Sequence, residues 1–275
     1  MDTRTFLGLE ETHNRFRWKL PVTKAICVGG GFLFGGAGLA AAIAAMEGTS
    51  GRKAIWATGQ YLSFARPGEV VDIDVTIAVE GHQMTQARAV CHVADREILT
   101  VNGALGERPF DRAAQFEAMP DGVPGPLECP TRLFRWEPAG TIHGHLDQRF
   151  AKGRTFSQLD GTLGDGRTMI WARIPEELDG IDAPILAVLG DFVPSGVGQA
   201  LGILAGGTSL DNTLRVVTTA TKTEWVLLDI QIQAAARGFG HGLMHLYAQD
   251  GTMLATASQS CVLRYWKAGD REQAP

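Results

Sequence analysis

Cysteine is scarce in this sequence: there are 4 in 275 residues, and Cys27, Cys91, Cys129 and Cys261 lie far apart with no Cys-x-x-Cys spacing. That excludes a zinc ribbon or a disulfide framework as the organising device and points to a reducing, cytoplasmic compartment. A surplus of positive charge is also missing. The net charge is -5 and the two signs are mixed along the chain, so no basic stripe is on offer to nucleic acid or to an anionic membrane. Residues 1–20 hold no apolar segment followed by a small-residue cleavage site, so no secretory signal is expected. Long apolar runs are rare as well. The charge-free stretch Ala25 to Met46 has the length of a membrane span, but Gly29, Gly30 and Gly31 interrupt it and predict a loop followed by a buried helix from Gly35 to Glu47.

What is present is a pattern of strands that occurs twice. Val226, Leu228, Ile230 and Ile232 alternate with Leu227, Asp229, Gln231 and Gln233, the signature of a strand with one buried face. A second strand is predicted from Gly242 to Ala248, then a tight turn at Gln249-Asp250-Gly251, then a third strand from Thr252. On that third strand Met253, Ala255, Ala257, Cys261 and Leu263 share a face, which leaves Gln259 as an amide on an apolar surface. In the first half, Lys53 to Ser63, Glu69 to Val79, Gln86 to Val93 and Glu97 to Asn102 read as strands, with a turn at Ala65-Arg66-Pro67-Gly68. An offset of 155 pairs Val71 with Val226, Asp74 with Asp229, Ile77 with Ile232, Asp95 with Asp250 and Leu99 with Leu254, so the halves are repeats.

Between them Pro120, Pro124, Pro126 and Pro130 exclude regular structure and mark an extended linker. The expected organisation is an N-terminal domain over 1–115, a linker over 116–130 and a C-terminal domain over 131–275. In the latter, strands are expected at Gly140 to Phe150 and Arg167 to Ile174, then a helix capped by Asp182 and reaching about Asp191. Each half is then one apolar helix and about five strands, an α+β unit whose antiparallel sheet wraps its helix. Gly36, Gly38 and the alanines at 40, 41, 42, 44 and 45 keep the first helix thin enough for a curved sheet to close around it. This is the pattern of a double hot-dog.

The segments FLFGGAGLAAAIAAME, YLSFARPGE, LDNT with TEWVLLD, and DGTMLATASQSCVLR resemble, in that order, those of the acyl-CoA thioesterase II family, a tandem double hot-dog. The resemblance runs from about residue 20 to 266. It implies hydrolysis of acyl-CoA without a metal or nucleotide cofactor. It further implies a water held by three groups: an aspartate near the end of the second helix, a serine or threonine before the LD motif, and the glutamine of the last strand. By position these are Asp191 in VLGDF, Ser209 in TSLDN and Gln259 in TASQS. A carboxylate accepts the water's proton, while a hydroxyl and an amide orient it. Gly35 and Gly36, at the start of the first helix, are expected to face the substrate carbonyl. The aromatic-rich wall that the resemblance implies in the first half is thinned here to Tyr61 and Phe64, and Tyr61 is expected to bind substrate. Gln259 and Ser209 fall on Ala104 and Ala54 in the first half, so one site per chain is expected. Hot-dog sheets commonly continue across a dimer, and a homodimer follows as an expectation.

The chain departs from the family at Asn212, where many members have histidine, and over Leu214 to Thr219. Two other readings compete. Gly190-Asp191-Phe192-Val193-Pro194 resembles the start of a hydratase signature for enoyl-CoA, but Val193 and Gly196 stand where its asparagine and histidine belong. A catalytically silent acyl-CoA-binding protein is the other. Gly36-Ala37-Gly38-Leu39-Ala40-Ala41 loosely fits a dinucleotide fingerprint but lies in no βαβ unit. His241 with His245, and His143 with His145, fall on predicted strands and have no third ligand, so a metal is not expected.

Overall fold

A computed structural model describes residues 1–29, 31–136 and 138–265. Gly30, and the last ten residues of the expected C-terminal domain, lie outside the described residues. In chain order the elements are α1 (Thr3–Leu7), β1 (Glu10–Glu11), β2 (Arg17–Pro21), α2 (Gly35–Ser50), β3 (Ala54–Tyr61), β4 (Val70–Glu80), β5 (Met84–Val93) and β6 (Arg96–Gly106). The second half holds β7 (Gln148–Lys152), β8 (Arg167–Arg173), α3 (Ala183–Leu189), α4 (Val193–Leu201), β9 (Ala205–Ser209), β10 (Asp211–Val216), β11 (Trp225–Ala236), β12 (Phe239–Ala248) and β13 (Met253–Tyr265). All strands join one antiparallel sheet in the order β1-β2-β4-β5-β6-β3-β10-β13-β12-β11-β8-β7, with β9 on β13. This is a double hot-dog: the sheet curls around α2 in the first half and around α3 and α4 in the second.

The halves meet where β3 pairs with β10, Thr213 opposite Thr58 and Leu214 opposite Ala57. The turn at Ala65 to Gly68 therefore does not make a hairpin of its flanking strands. β3 lies between β6 and β10, while β4 lies between β2 and β5. Gly68 takes φ +92, which the turn requires and glycine supplies without strain.

α2 is apolar on every side, and Ala37 to Met46 are all buried. A helix of that kind belongs at the centre of a core. It ends at Gly51 in the left-handed conformation, whose N–H bonds Glu47 O. α3 is capped by Asp182, which accepts from the Ile185 N–H at 2.8 Å. The chain then breaks at Gly190-Asp191-Phe192 and continues as α4, a helix the sequence pattern did not announce. Pro194 is tolerated there because it stands in the first turn. The second half thus has two helices where one was expected. From Ala183 to Leu201 they form a stretch long and apolar enough to cross a membrane, yet 72% of it is buried inside the protein.

Further corrections concern the second sheet. Residues 140–147 are turns and one tight helical turn at Ile142–Gly144, and the strand expected from Gly140 begins only at Gln148. β11 is buried on both faces over Trp225 to Ile230, so its outer face is not the polar one that alternation suggested. Cys129, Met169, Trp171, Trp225, Leu227, Tyr247 and Met253 form a second apolar cluster there, with Met119 and Val123 packed on it. The proline-rich linker covers that face. It is pinned by Trp171 Nε1 donating to Pro124 O at 2.9 Å and by Tyr247 Oη donating to Ala118 O at 3.1 Å, and Gln115, just before it, accepts the Met253 N–H at Oε1 at 2.7 Å. A bulge near Leu254 turns Met253 away from the face of Ala255 and into this outer cluster.

Candidate active site

Asp191 lies in the break between α3 and α4, only 7% exposed. Its two oxygens are held by groups from three other elements. The Gly36 N–H, in the first turn of α2, donates to Oδ2 at 2.5 Å. Ser209 Oγ, at the end of β9, donates to Oδ1 at 3.3 Å. Gln259 Nε2, from β13, donates to Oδ1 and also to Ser209 Oγ, the latter at 3.1 Å. The three residues singled out in the sequence thus meet at one point, brought there by α2, β9, β13 and the helix break.

The orientation of the Gln259 amide is set from behind. Its Oε1 accepts the N–H of Val193 at 3.2 Å, the first residue of α4, which leaves the NH2 group to face Asp191. A buried amide is costly unless both ends are bonded. Here both are.

Burial raises the Asp191 pKa from the usual carboxylate range to about 7, against the opposing hydrogen bonds from Gln259, Gly36 and Ser209. The result is a carboxylate poised to gain or lose a proton near neutrality.

Glycine is required at the helix start by the closeness of this carboxylate. A methyl group on Gly36 would stand 2.8 Å from Asp191 Cβ, 2.8 Å from the Phe34 ring and 2.9 Å from Val188 O. One on Gly35 would stand 2.8 Å from Asp191 Oδ2 and 3.1 Å from the Tyr61 ring, so the carboxylate and the phenol face each other across Gly35. The Gly36 N–H, expected to face a substrate carbonyl, is directed at Asp191 instead.

Among the described residues the buried Tyr61 hydroxyl has no hydrogen-bond partner, and Asn212 Oδ1 is in the same condition. They are neighbours outside hydrogen-bond geometry. Burial, then the charge of Asp191, hold the Tyr61 pKa well above its usual value, so the phenol keeps its proton. Asn212 donates from Nδ2 to Gly190 O at 3.3 Å and so steadies the residue before Asp191. The sequence marked Asn212 only as a departure from the family; its contact with Gly190 depends on the fold. From Tyr61 a narrow apolar cavity runs between α2 and the first sheet, lined by Leu33, Phe34, Gly35, Phe64, Cys91 and Leu99 among others.

The remaining sequence candidates fall elsewhere. A side chain at Gly196 would run into Ile230 Cγ2 at 2.9 Å, so the position that a hydratase gives to histidine faces the packed sheet. His241 bonds Ser260 Oγ at 3.1 Å and His245 bonds Tyr247 Oη at 3.4 Å, on β12. His143 and His145 lie at a helical turn and not on a strand; His145 packs on Phe6 and His143 on Phe34. Among the described residues no group of three His, Cys, Asp or Glu side chains is arranged to hold a metal ion.

Fold and site together define a double hot-dog protein with a buried carboxylate at the junction of its halves. Residues 115–263 match the model of the acyl-CoA thioesterase C-terminal domain. A protein from Novosphingobium aromaticivorans, assigned as a thioesterase, is 31% identical over 93% of this chain and 98% of its own, with a TM-score of 0.82. The fold is shared with a hot-dog protein of unknown function from Alicyclobacillus acidocaldarius, at 18% identity, 93% and 96% coverage and a TM-score of 0.78. It is shared too with the acyl-CoA thioesterase II of Mycobacterium marinum, at 17% identity, 95% and 96% coverage and a TM-score of 0.72. No curated protein matches the chain. The chain belongs to the acyl-CoA thioesterase II family, and it is a thioester hydrolase.

Proposed function

We propose that this enzyme cleaves acyl-CoA to a free acid and CoA with a water activated by Asp191 and oriented by Ser209 and Gln259. The observation that carries this reading is the convergence of Gln259 Nε2, Ser209 Oγ and the Gly36 N–H on one buried carboxylate whose pKa is raised to about 7. Ionised Asp191 takes a proton from the water as the water oxygen attacks the thioester carbonyl carbon. Negative charge moves to the carbonyl oxygen. The adduct collapses, the carbon–sulfur bond breaks, and the departing thiolate takes the proton back from Asp191, which restores the carboxylate.

In this reading the acyl group is directed toward the apolar cavity lining that includes Tyr61 and Gly35. The Tyr61 hydroxyl, buried on the lining of that cavity, has no hydrogen-bond partner among the described residues. In this reading it donates to the carbonyl oxygen, where charge develops.

The test is free-thiol release from short, long, branched and aromatic acyl-CoAs by the wild type and by Asp191→Asn. Robust release that falls by about a hundredfold or more in the folded variant is expected. A wild type that binds acyl-CoA and releases no thiol from any of them would replace this reading with a silent binding protein.

A further inference from the structure

Arg132 is a cation packed into the protein with no carboxylate paired to it among the described residues. Its Nη1 donates to Gln148 Oε1 at 2.7 Å and its Nη2 to Ser195 Oγ at 3.0 Å, both neutral acceptors. Its guanidinium lies over the Phe134 ring at 4.9 Å and approaches the rings of Phe150 and Phe192 at 5.9 Å each. Among the ion pairs of the described residues none includes Arg132. Enclosure of this kind lowers its pKa to about 10, and burial, then the charge of Arg132, hold the neighbouring His143 neutral with a pKa of about 3. An enclosed charge is ordinarily paired, because neutral acceptors replace only part of its hydration.

Arg132 as a residue is only half-buried. Arg132, Phe134, Arg135 and Trp136 line a wide concavity open to solvent. That concavity is joined to the carboxylate centre by aromatic rings. His143 touches Phe134 at 5.4 Å, Trp136 at 5.5 Å, Phe34 at 5.3 Å and Phe192 at 5.5 Å between ring centroids. Phe34 is the residue before Gly35 and Phe192 the residue after Asp191. Packed rings therefore link the residues that flank Gly35 and Asp191 to a cation that has no ion-pair partner among the described residues.

We infer that this concavity receives the phosphate-bearing nucleotide end of the CoA carrier, with a phosphate on Arg132 and the base against Trp136 and Phe134. A guanidinium fork suits phosphate oxygens, and an aromatic face suits a purine. The inference rests on the acyl-CoA reading above and adds where the part of the substrate remote from the chemistry is held.

The test compares two thioesters of the same acid, the acyl-CoA and the acyl-pantetheine, which lacks phosphate and nucleotide. The wild type is expected to show a lower KM for the CoA ester. Arg132→Gln is expected to raise that KM by about tenfold to a hundredfold with kcat retained, and to move the constants of the pantetheine ester little. Arg132→Lys, which keeps the charge, should recover part of the loss.

Equal KM values for the two esters in the wild type would overturn the inference. So would an equal effect of Arg132→Gln on both, the mark of a packing role. Should the wild type cleave neither ester, the hydrolytic reading is what fails. Calorimetric titration with free CoA then decides the binding site: heat of binding in the wild type that is lost in a folded Arg132→Gln upholds it, and unchanged binding removes it.

Discussion

The amide N–H of Gly36 donates to Oδ2 of Asp191 at 2.5 Å, and these two residues are 155 positions apart, the interval that superimposes one half of the chain on the other. Thr58 and Thr213, also 155 apart, share a hydroxyl hydrogen bond of 2.7 Å where β3 meets β10. Equivalent residues of two copies touch only near the axis that relates the copies. The buried carboxylate therefore sits close to the pseudo-two-fold axis, where the repeats have diverged: Asp191, Ser209 and Gln259 correspond to Gly36, Ala54 and Ala104. Two symmetric carboxylates there would repel each other. One carboxylate against one helix N-terminus attracts.

The pH dependence of turnover follows from the Asp191 pKa of about 7. A general base acts only when ionised, so kcat/KM is expected to rise with pH and level off above about 7 to 8. Initial rates across a pH series check this, and a flat profile through neutrality would exclude Asp191 as the titrating base.

Stability should respond in the opposite sense. Because the folded pKa is raised above the usual carboxylate value of 3.8, the folded state holds a proton that the unfolded chain has released, and stability falls as pH rises from about 4 to 7. Above that window the cost is complete. Asp191→Asn is therefore expected to be more stable than the wild type at pH 8, by roughly a few kcal/mol, with the gain shrinking towards pH 4. Thermal unfolding as a function of pH reads it.

Tyr61→Phe separates stability from catalysis. Among the described residues the hydroxyl has no partner to lose, so the melting temperature is expected to stay or rise. Meanwhile kcat/KM falls by about tenfold to a hundredfold if the proton serves the carbonyl oxygen. Unchanged kinetics would leave Tyr61 as a wall residue.

Gly36→Ala brings a methyl group to 2.9 Å from the backbone oxygen of Val188 and 2.8 Å from Asp191 Cβ. The α2 start and the Asp191 segment must separate. A loss of about 1–3 kcal/mol is expected despite alanine's better helix propensity, together with loss of activity. Denaturant unfolding and thiol release measure the two.

The repeat also holds an internal control. Asp74 and Asp229 are equivalent, and each takes a two-pronged arginine, Arg17 at 2.6 and 2.8 Å and Arg167 at 2.8 and 2.6 Å. The Asp74 side chain is 39% exposed and that of Asp229 only 6%. Asp74→Asn is expected to cost under about 1 kcal/mol. Asp229→Asn should cost about 2–4 kcal/mol, toward the low end because the Arg167 guanidinium can still reach water. Comparable costs in chemical denaturation would show that burial does not set them.

Alternation of apolar residues, glycine and proline punctuation and an ungapped repeat were sufficient to write most strands, the first helix and the duplicated plan, because each is a local or periodic property of the chain. The residue types at 191, 209 and 259 were likewise legible, through resemblance. What depended on tertiary structure is everything set by contact between distant segments. The linker's cover made the outer face of β11 apolar. A glycine-containing helix with Pro194 in its first turn is held as α4 by packing against the sheet and not by propensity. The carboxylate at 191 acquires its raised pKa only when β9, β13 and α2 enclose it, since burial and hydrogen-bond donors from other elements are absent in the unfolded chain.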